Sequence, residues 1–156
     1  MTMKKILNIM FAAVAICLSA ACQKDEIKDS VDSAIVGEWH LSTVEVNGTV
    51  QRYSYDVYLT IHSDCTFELY QKSGTQTRYT KFTGTCKSEG RVLSGVYVSG
   101  TPWGESYTTT VSDNTLTLTS SNGIEIQEYT RESLALEEKL AADISTRSTT
   151  GVVPIL

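Results

Sequence analysis

The sequence predicts an all-β fold, an eight-stranded up-and-down barrel with one short C-terminal helix, and three observations lead there. From Ile35 to Arg131 the chain is rich in Thr, Tyr and Val, residues that suit a pleated, half-buried surface. Turn signals break that stretch every 8 to 12 residues, and no helix-period segment interrupts it. The links between the apolar runs are short, which favours a meander of sequential neighbours over a sandwich with long crossing connections.

Taken in order, the strands are expected at 36–46, 53–62, 65–72, 78–87, 91–98, 105–112, 115–120 and 124–131. Asn47-Gly48 is a hairpin signal, because both central positions of the favoured turn need φ > 0. Asp113-Asn114 suits a two-residue turn, and Ser121-Asn122-Gly123 a three-residue loop with Gly123 left-handed. Centring a hairpin on Ser73 to Thr77 places Leu69 opposite Phe82, Phe67 opposite Gly84 and Cys65 opposite Cys86, all on one face. Directly opposed residues have Cβ atoms about 4.5–5.5 Å apart, near disulfide range. The three-residue loop at 121–123 would turn Glu128 inward beside Leu116, and an unpaired buried carboxylate is expensive. A bulge near Glu128 that brings Tyr129 inward is therefore expected, the alternative being an inward, ligand-binding acid at Glu128.

Beyond Arg131, a helix is expected over 132–144, with Leu136, Leu140 and Ile144 at i, i+4, i+8 forming a stripe docked on the barrel. Residues 145–156 read as a disordered tail.

The N-terminus has a different character. Lys4-Lys5, an apolar run from Ile6 to Leu18 and the small residues Ser19-Ala20-Ala21 make a secretion signal over 1–21, too short to span a bilayer. The Leu-Ser-Ala-Ala-Cys ending resembles the lipobox of bacterial lipoproteins, in which the chain is cut before the Cys and that Cys is acylated; this implies a lipid anchor, palmitate included, on Cys22. Two or more acyl chains attach a protein to a membrane stably. Residues 22–34 are polar and read as a flexible tether. Within it, Gln23-Lys24-Asp25-Glu26 resembles the acidic signal that sends some commensal lipoproteins to the outer face of the outer membrane. Asp29-Ser30-Val31 and Asp32-Ser33-Ala34 resemble sites that such organisms O-glycosylate, which makes Ser30 and Ser33 candidate acceptors.

Removing the signal takes the basic count from 13 to 11 against 18 acidic residues, a formal charge of −7. An acidic chain lacks the footprint that phosphate backbones require, so no nucleic-acid partner is expected. Of four cysteines, one leaves with the signal and one carries lipid; the remaining pair, Cys65 and Cys86, suggests a single disulfide in an exported protein.

Gly37-Glu38-Trp39 at the head of the first strand, followed by the eight-strand meander, resembles the Gly-x-Trp opening of lipocalins and of lipocalin-like domains on bacterial surface lipoproteins. The resemblance implies that Gly37 and Trp39 close the lower end of the barrel, and that the upper end opens between the loops at 47–52, 73–77, 99–104 and 120–123. The tether enters below, so the mouth is expected to face away from the membrane. Tyr53, Tyr55, Tyr97, Trp103 and Tyr107 lie near that mouth and are the candidate ligand-binding residues. An eight-stranded barrel has room for little beyond its own side chains, so Tyr55 and Tyr107 are either pocket wall or plain core. Trp103, on the Ser99 to Gly104 loop, is either an exposed contact residue or folded over the rim.

Catalysis finds no support. His40 and His62 alternate with apolar neighbours, point outward and have no metal-ligand spacing. Ser112-Asp113-Asn114 copies a penicillin-binding triplet without its companion motifs and reads as a turn. No catalytic residue, metal or cofactor is expected. Two functions remain: a membrane-anchored barrel that binds a small apolar or amphipathic ligand, or a filled barrel that contacts a protein or glycan at the cell surface.

Overall fold

The computed structural model describes residues 31–144 and 152–156. Its strands are β1 (Gly37–Val46), β2 (Thr49–Val50), β3 (Tyr55–Ile61), β4 (Thr66–Ser73), β5 (Thr80–Glu89), β6 (Val92–Tyr97), β7 (Tyr107–Ser112), β8 (Thr115–Ser120), β9 (Glu125–Arg131) and β10 (Asp143–Ile144); α1 is Leu136–Ala141. Each long strand pairs antiparallel with its neighbours in the order β5-β4-β3-β1-β9-β8-β7-β6, and β5–β6 pairing closes the ring into an eight-stranded up-and-down barrel. Closure leaves the long strands without a free sheet edge along most of their length. The two-residue β2 only extends the first hairpin beside β1.

The expected turns form where their chemistry requires. Asn47 and Gly48 take φ of 51° and 73°, and Val46 pairs with Thr49. Asp113, with φ 52°, turns β7 into β8. The third hairpin has the register read from the sequence, with Leu69 opposite Phe82 and Phe67 opposite Gly84. One rung below Thr66 and Thr85, the Cys86 amide donates to the Cys65 carbonyl at 2.7 Å, and no bond joins the two sulfurs in this structure.

Four expectations are corrected. The loop between β8 and β9 is one residue longer than 121–123, so Leu116 faces Tyr129, Leu118 faces Gln127, and Glu128 points outward and is exposed. The bulge lies across from it on β1, between Leu41 and Thr43, rather than on β9 itself. The avoided cost of a buried carboxylate accounts for the slip.

The tether ends earlier than expected: Val31 and Ile35 are buried in the core, and the Ile35 amide donates to the Asp32 carbonyl at 3.0 Å to form the turn between them.

The predicted helix over 132–144 shrinks to six residues, and its stripe does not dock, since Leu136, Leu140 and Ile144 are all exposed. β6 pairs only with the lower part of β5, from Gly84 down, which leaves the upper part of β5 as an edge. The chain after Ala141 becomes extended and supplies β10 to that edge, pairing Asp143 with Thr80 and Ile144 with Lys81. Unpaired strand groups are satisfied in this way at the expense of the stripe. Leu134 and Ala142, on either side of α1, pack against Tyr58, Tyr70 and Tyr79 on the outer barrel wall, and Lys139 pairs with Glu38 at 2.8 Å.

The last correction concerns the tail. Residues 152–156 are packed against the barrel core, and Leu156 is buried.

Candidate functional site

The lower end is sealed by the chain's own opening segment. Trp39 is fully buried and its indole N–H donates to the Ile35 carbonyl at 2.9 Å. The Arg131 guanidinium lies over the Trp39 ring, 4.0 Å from its centre, and donates to the Val36 and Ala34 carbonyls at 3.2 Å each. Gly37 is required beneath it: its φ is 142°, and a Cβ there would come within 2.4 Å of the guanidinium. Gly37 and Trp39 both lie in this packed start of β1. Arg131 was not singled out in the sequence, although it sits opposite Trp39 once β1 and β9 are aligned.

Above that seal, the inward residues of β4 to β7 and Trp103 line an aromatic chamber that their own packed rings and residues 152–156 fill. Phe67 makes edge contacts with Tyr97 at 5.4 Å and Trp103 at 5.0 Å between ring centres, Trp103 meets Tyr107 at 6.2 Å, and Phe82 meets Tyr97 at 6.0 Å. Offset and edge-on rings of this kind are attractive beyond their buried area. Burial raises the Tyr97, Tyr107 and Tyr129 phenols far above their ordinary range, so at neutral pH all three are intact O–H donors.

Trp103 reaches the chamber because the Val98 to Ser106 loop doubles back. Gly100 takes φ 85° and donates to the Tyr97 carbonyl at 2.8 Å, Pro102 bridges to Val96, and the Trp103 amide donates to the Gly95 carbonyl at 2.9 Å. β6 and β7 share only the pairs Val92 with Thr108 and Leu93 with Tyr107, and the indole fills the core beside that short seam. The ring lies directly on Gly95, where a Cβ would come within 2.2 Å of it. Trp103 is therefore 4 % exposed: of the two placements the sequence left open, the loop folds the indole into the barrel rather than leaving it an exposed contact residue. A glycine inside a strand signals close approach by another group, and Gly95 carried that signal. The Trp103 indole N–H is buried with no hydrogen-bond partner among the described residues.

Two inward glutamines add polar groups. Gln127 is fully buried, accepts from the Tyr129 hydroxyl and donates to Glu125. Gln71, 2 % exposed, donates to the Val153 carbonyl at 3.0 Å and accepts from the Ile155 amide at 3.1 Å. The Tyr97 hydroxyl donates to the main-chain oxygen of Leu156 at 2.9 Å. Neither glutamine was named from the sequence, although both fall at inward positions of their strands.

Of the residues read as ligand-binding, Tyr97, Trp103 and Tyr107 come together in the chamber. Tyr53 and Tyr55 form a separate pair, 6.4 Å apart, 40 % and 47 % exposed ahead of and at the start of β3. Ser33 is exposed in the turn before β1, while Cys22 and Ser30 lie outside the described residues.

On the outer wall, His40 stacks on Tyr58 at 4.3 Å and bridges Asp56 at 2.8 Å and Glu132 at 3.1 Å, and Tyr79 donates to the other oxygen of Asp56. This network ties β1, β3 and the segment after β9 together. Among the described residues no group of three His, Cys, Asp or Glu side chains could hold a metal ion.

A closed eight-strand meander, with a buried Trp packed at one end and aromatic and amide side chains packed above it, defines a small up-and-down barrel. The chain belongs to the lipocalin-like domain family, whose model matches residues 35–132. The structure of the lipoprotein YedD from Klebsiella pneumoniae subsp. pneumoniae MGH 78578 is similar to it over 83 % of this chain and 97 % of that one, at 15 % identity and a TM-score of 0.47. Comparison with curated proteins found no match.

Proposed function

We propose that the chain is the precursor of a bacterial surface lipoprotein, held in the outer membrane by lipid on Cys22, whose barrel binds a small apolar or amphipathic ligand and catalyses no reaction. The observation that carries the binding reading is the chamber: Tyr97, Trp103 and Tyr107 line it, and Trp103 presents a buried N–H with no acceptor among the described residues. An unsatisfied buried donor costs free energy that a ligand oxygen would recover. Apolar walls with a few convergent polar groups are the usual make-up of a small-molecule site. Anchoring rests on the sequence, namely the Lys4-Lys5 start, the apolar run and Leu18-Ser19-Ala20-Ala21-Cys22. Export supports a disulfide between Cys65 and Cys86 and glycan attachment at Ser30 and Ser33.

A second reading, a surface module that contacts a protein or glycan, is favoured by the exposed Tyr53–Tyr55 pair, because exposed tyrosines are common contact residues.

Anchoring is tested by Cys22→Ser. The variant is expected in the soluble fraction without lipid, whereas its retention in the membrane pellet would refute the lipobox reading.

A further inference from the structure

The upper chamber is not empty of protein: its occupant comes from the far end of the sequence. Exposure falls along the segment from Val153, 79 % exposed, to Leu156, 4 % exposed, so the chain runs from solvent into the core. Main-chain groups of the segment are recognised at three points. Gln71 takes both a carbonyl and an amide, as one strand takes another, and Tyr97 donates to the oxygen of Leu156. Val152 and Ile155 add partly buried apolar contacts to the same core.

We infer that Val152–Leu156 is a built-in occupant of the ligand chamber, which a ligand must displace, and that the chamber takes an apolar chain carrying a carbonyl or carboxyl acceptor. The ligand half of this inference rests on the binding function proposed above. The hydrogen-bonding inventory sets the class. Tyr97 and the Gln71 amide already donate to carbonyl oxygens of the segment, and the Trp103 N–H is a third donor, with no acceptor among the described residues. Gln71 Oε1 is the acceptor that the segment uses, through the Ile155 amide. A site with more donors than acceptors, between aromatic walls, selects an acceptor-bearing apolar chain.

Among the described residues no sheet ladder holds the segment. Its described contacts are the side-chain hydrogen bonds, the burial of Leu156 and the partly buried packing of Val152 and Ile155. Contacts on that scale can be exchanged for those of a ligand. A ligand that needs the segment out binds with its intrinsic affinity reduced by the open fraction.

The test uses cis-parinaric acid, a fluorescent polyene fatty acid, with the full chain and with a chain ended at Gly151. The shortened chain is expected to bind the probe at least about tenfold more tightly, which corresponds to a segment seated roughly nine-tenths of the time. The free peptide Val-Val-Pro-Ile-Leu should then displace the probe from it. Equal affinity of the two chains would overturn the occupant and leave the barrel-binding function standing. Binding of the peptide without the fatty acid would keep the occupant and remove the small-ligand reading. Binding of neither would remove both. Should the shortened chain not fold, hydrogen exchange at the Ile155 amide of the full chain puts the same question. Saturating probe is expected to speed that exchange by about tenfold or more, and an unchanged rate with probe bound would overturn the inference.

Discussion

The two ends of the barrel are closed by different means. At the lower end, Val31, Ile35 and Trp39 come from one stretch at the start of the first strand, the Trp39 N–H is bonded, and Arg131 lies across the ring from the last strand. At the upper end the walls come from β4 to β7, the filling comes from residues 152–156, and the Trp103 N–H has no partner among the described residues. The lower end is closed mostly by one stretch of sequence, with Arg131 added from the last strand, and its indole N–H is satisfied, as in a structural seal. The upper end is assembled from distant pieces and keeps an unused donor, which is where a binding function would be expected to leave the polar accounting incomplete.

The largest effect that would sharpen this contrast concerns the chamber wall. Trp103→Ala and Phe67→Ala should each cost about 3–5 kcal/mol of stability, as aromatic core truncations do. Denaturant unfolding that gave Trp103→Ala a cost within about 0.5 kcal/mol would place the indole on the surface instead.

Next comes the Cys65–Cys86 pair at the lower turn. If oxidised, it closes a loop of roughly 20 residues worth about 3 kcal/mol in the chain-entropy model, and mass mapping of unreduced digests should find the bond. In the reduced protein, burial foremost and then the neighbouring Cys65 push the Cys86 thiol up to about 11 from 9.0. Its folded-state pKa lies above the unfolded one, so the buried thiol stabilises below pH 9 and this contribution fades as the pH climbs to about 11. Alkylation of Cys86 at mildly alkaline pH should run about 100-fold slower than that of an ordinary thiol, since thiolate is the reactive form. Recovery of both thiols from protein exported by its host would end the disulfide proposal.

The smallest effect is at the seal. Arg131→Met keeps the apolar stem over Trp39 but removes the charge and its two carbonyl bonds, and should cost about 1 kcal/mol at this exposed position. Thermal unfolding would measure it. A loss as large as that of Phe67→Ala would mean that Arg131, rather than Trp39 and its apolar neighbours, holds the lower end.

Most of the barrel was legible in the sequence because strand period, turn residues and link length all agree. Asn47-Gly48 and Asp113-Asn114 dictate their own backbone, and the Phe67–Gly84 register follows from counting out from the 73–77 tip. The β8–β9 loop was misjudged by one residue because three- and four-residue loops can be written with the same Asn-Gly signal. In the helix, a period-3.6 stripe lost to an open β5 edge, a competition that exists only once β6 is seen to pair with half of β5. The chamber was half legible. Tyr97 and Tyr107 fall at inward positions, but Trp103 depends on a loop that doubles back, and Gln71 has meaning only beside residues 152–156. The tail was misread because its polar approach outweighed the apolar Val-Val-Pro-Ile-Leu that follows.

The central claim is that the chamber is a ligand site. Native mass spectrometry of the protein purified from its own host tests it most directly, because a ligand held between Trp103 and Tyr97 would travel with the folded chain. The account predicts a population heavier than the lipidated chain by the mass of a small amphipathic molecule, lost when Trp103 or Tyr97 is replaced in a chain that still folds. A single mass equal to that of the lipidated chain, unchanged after incubation with fatty acids, would contradict it.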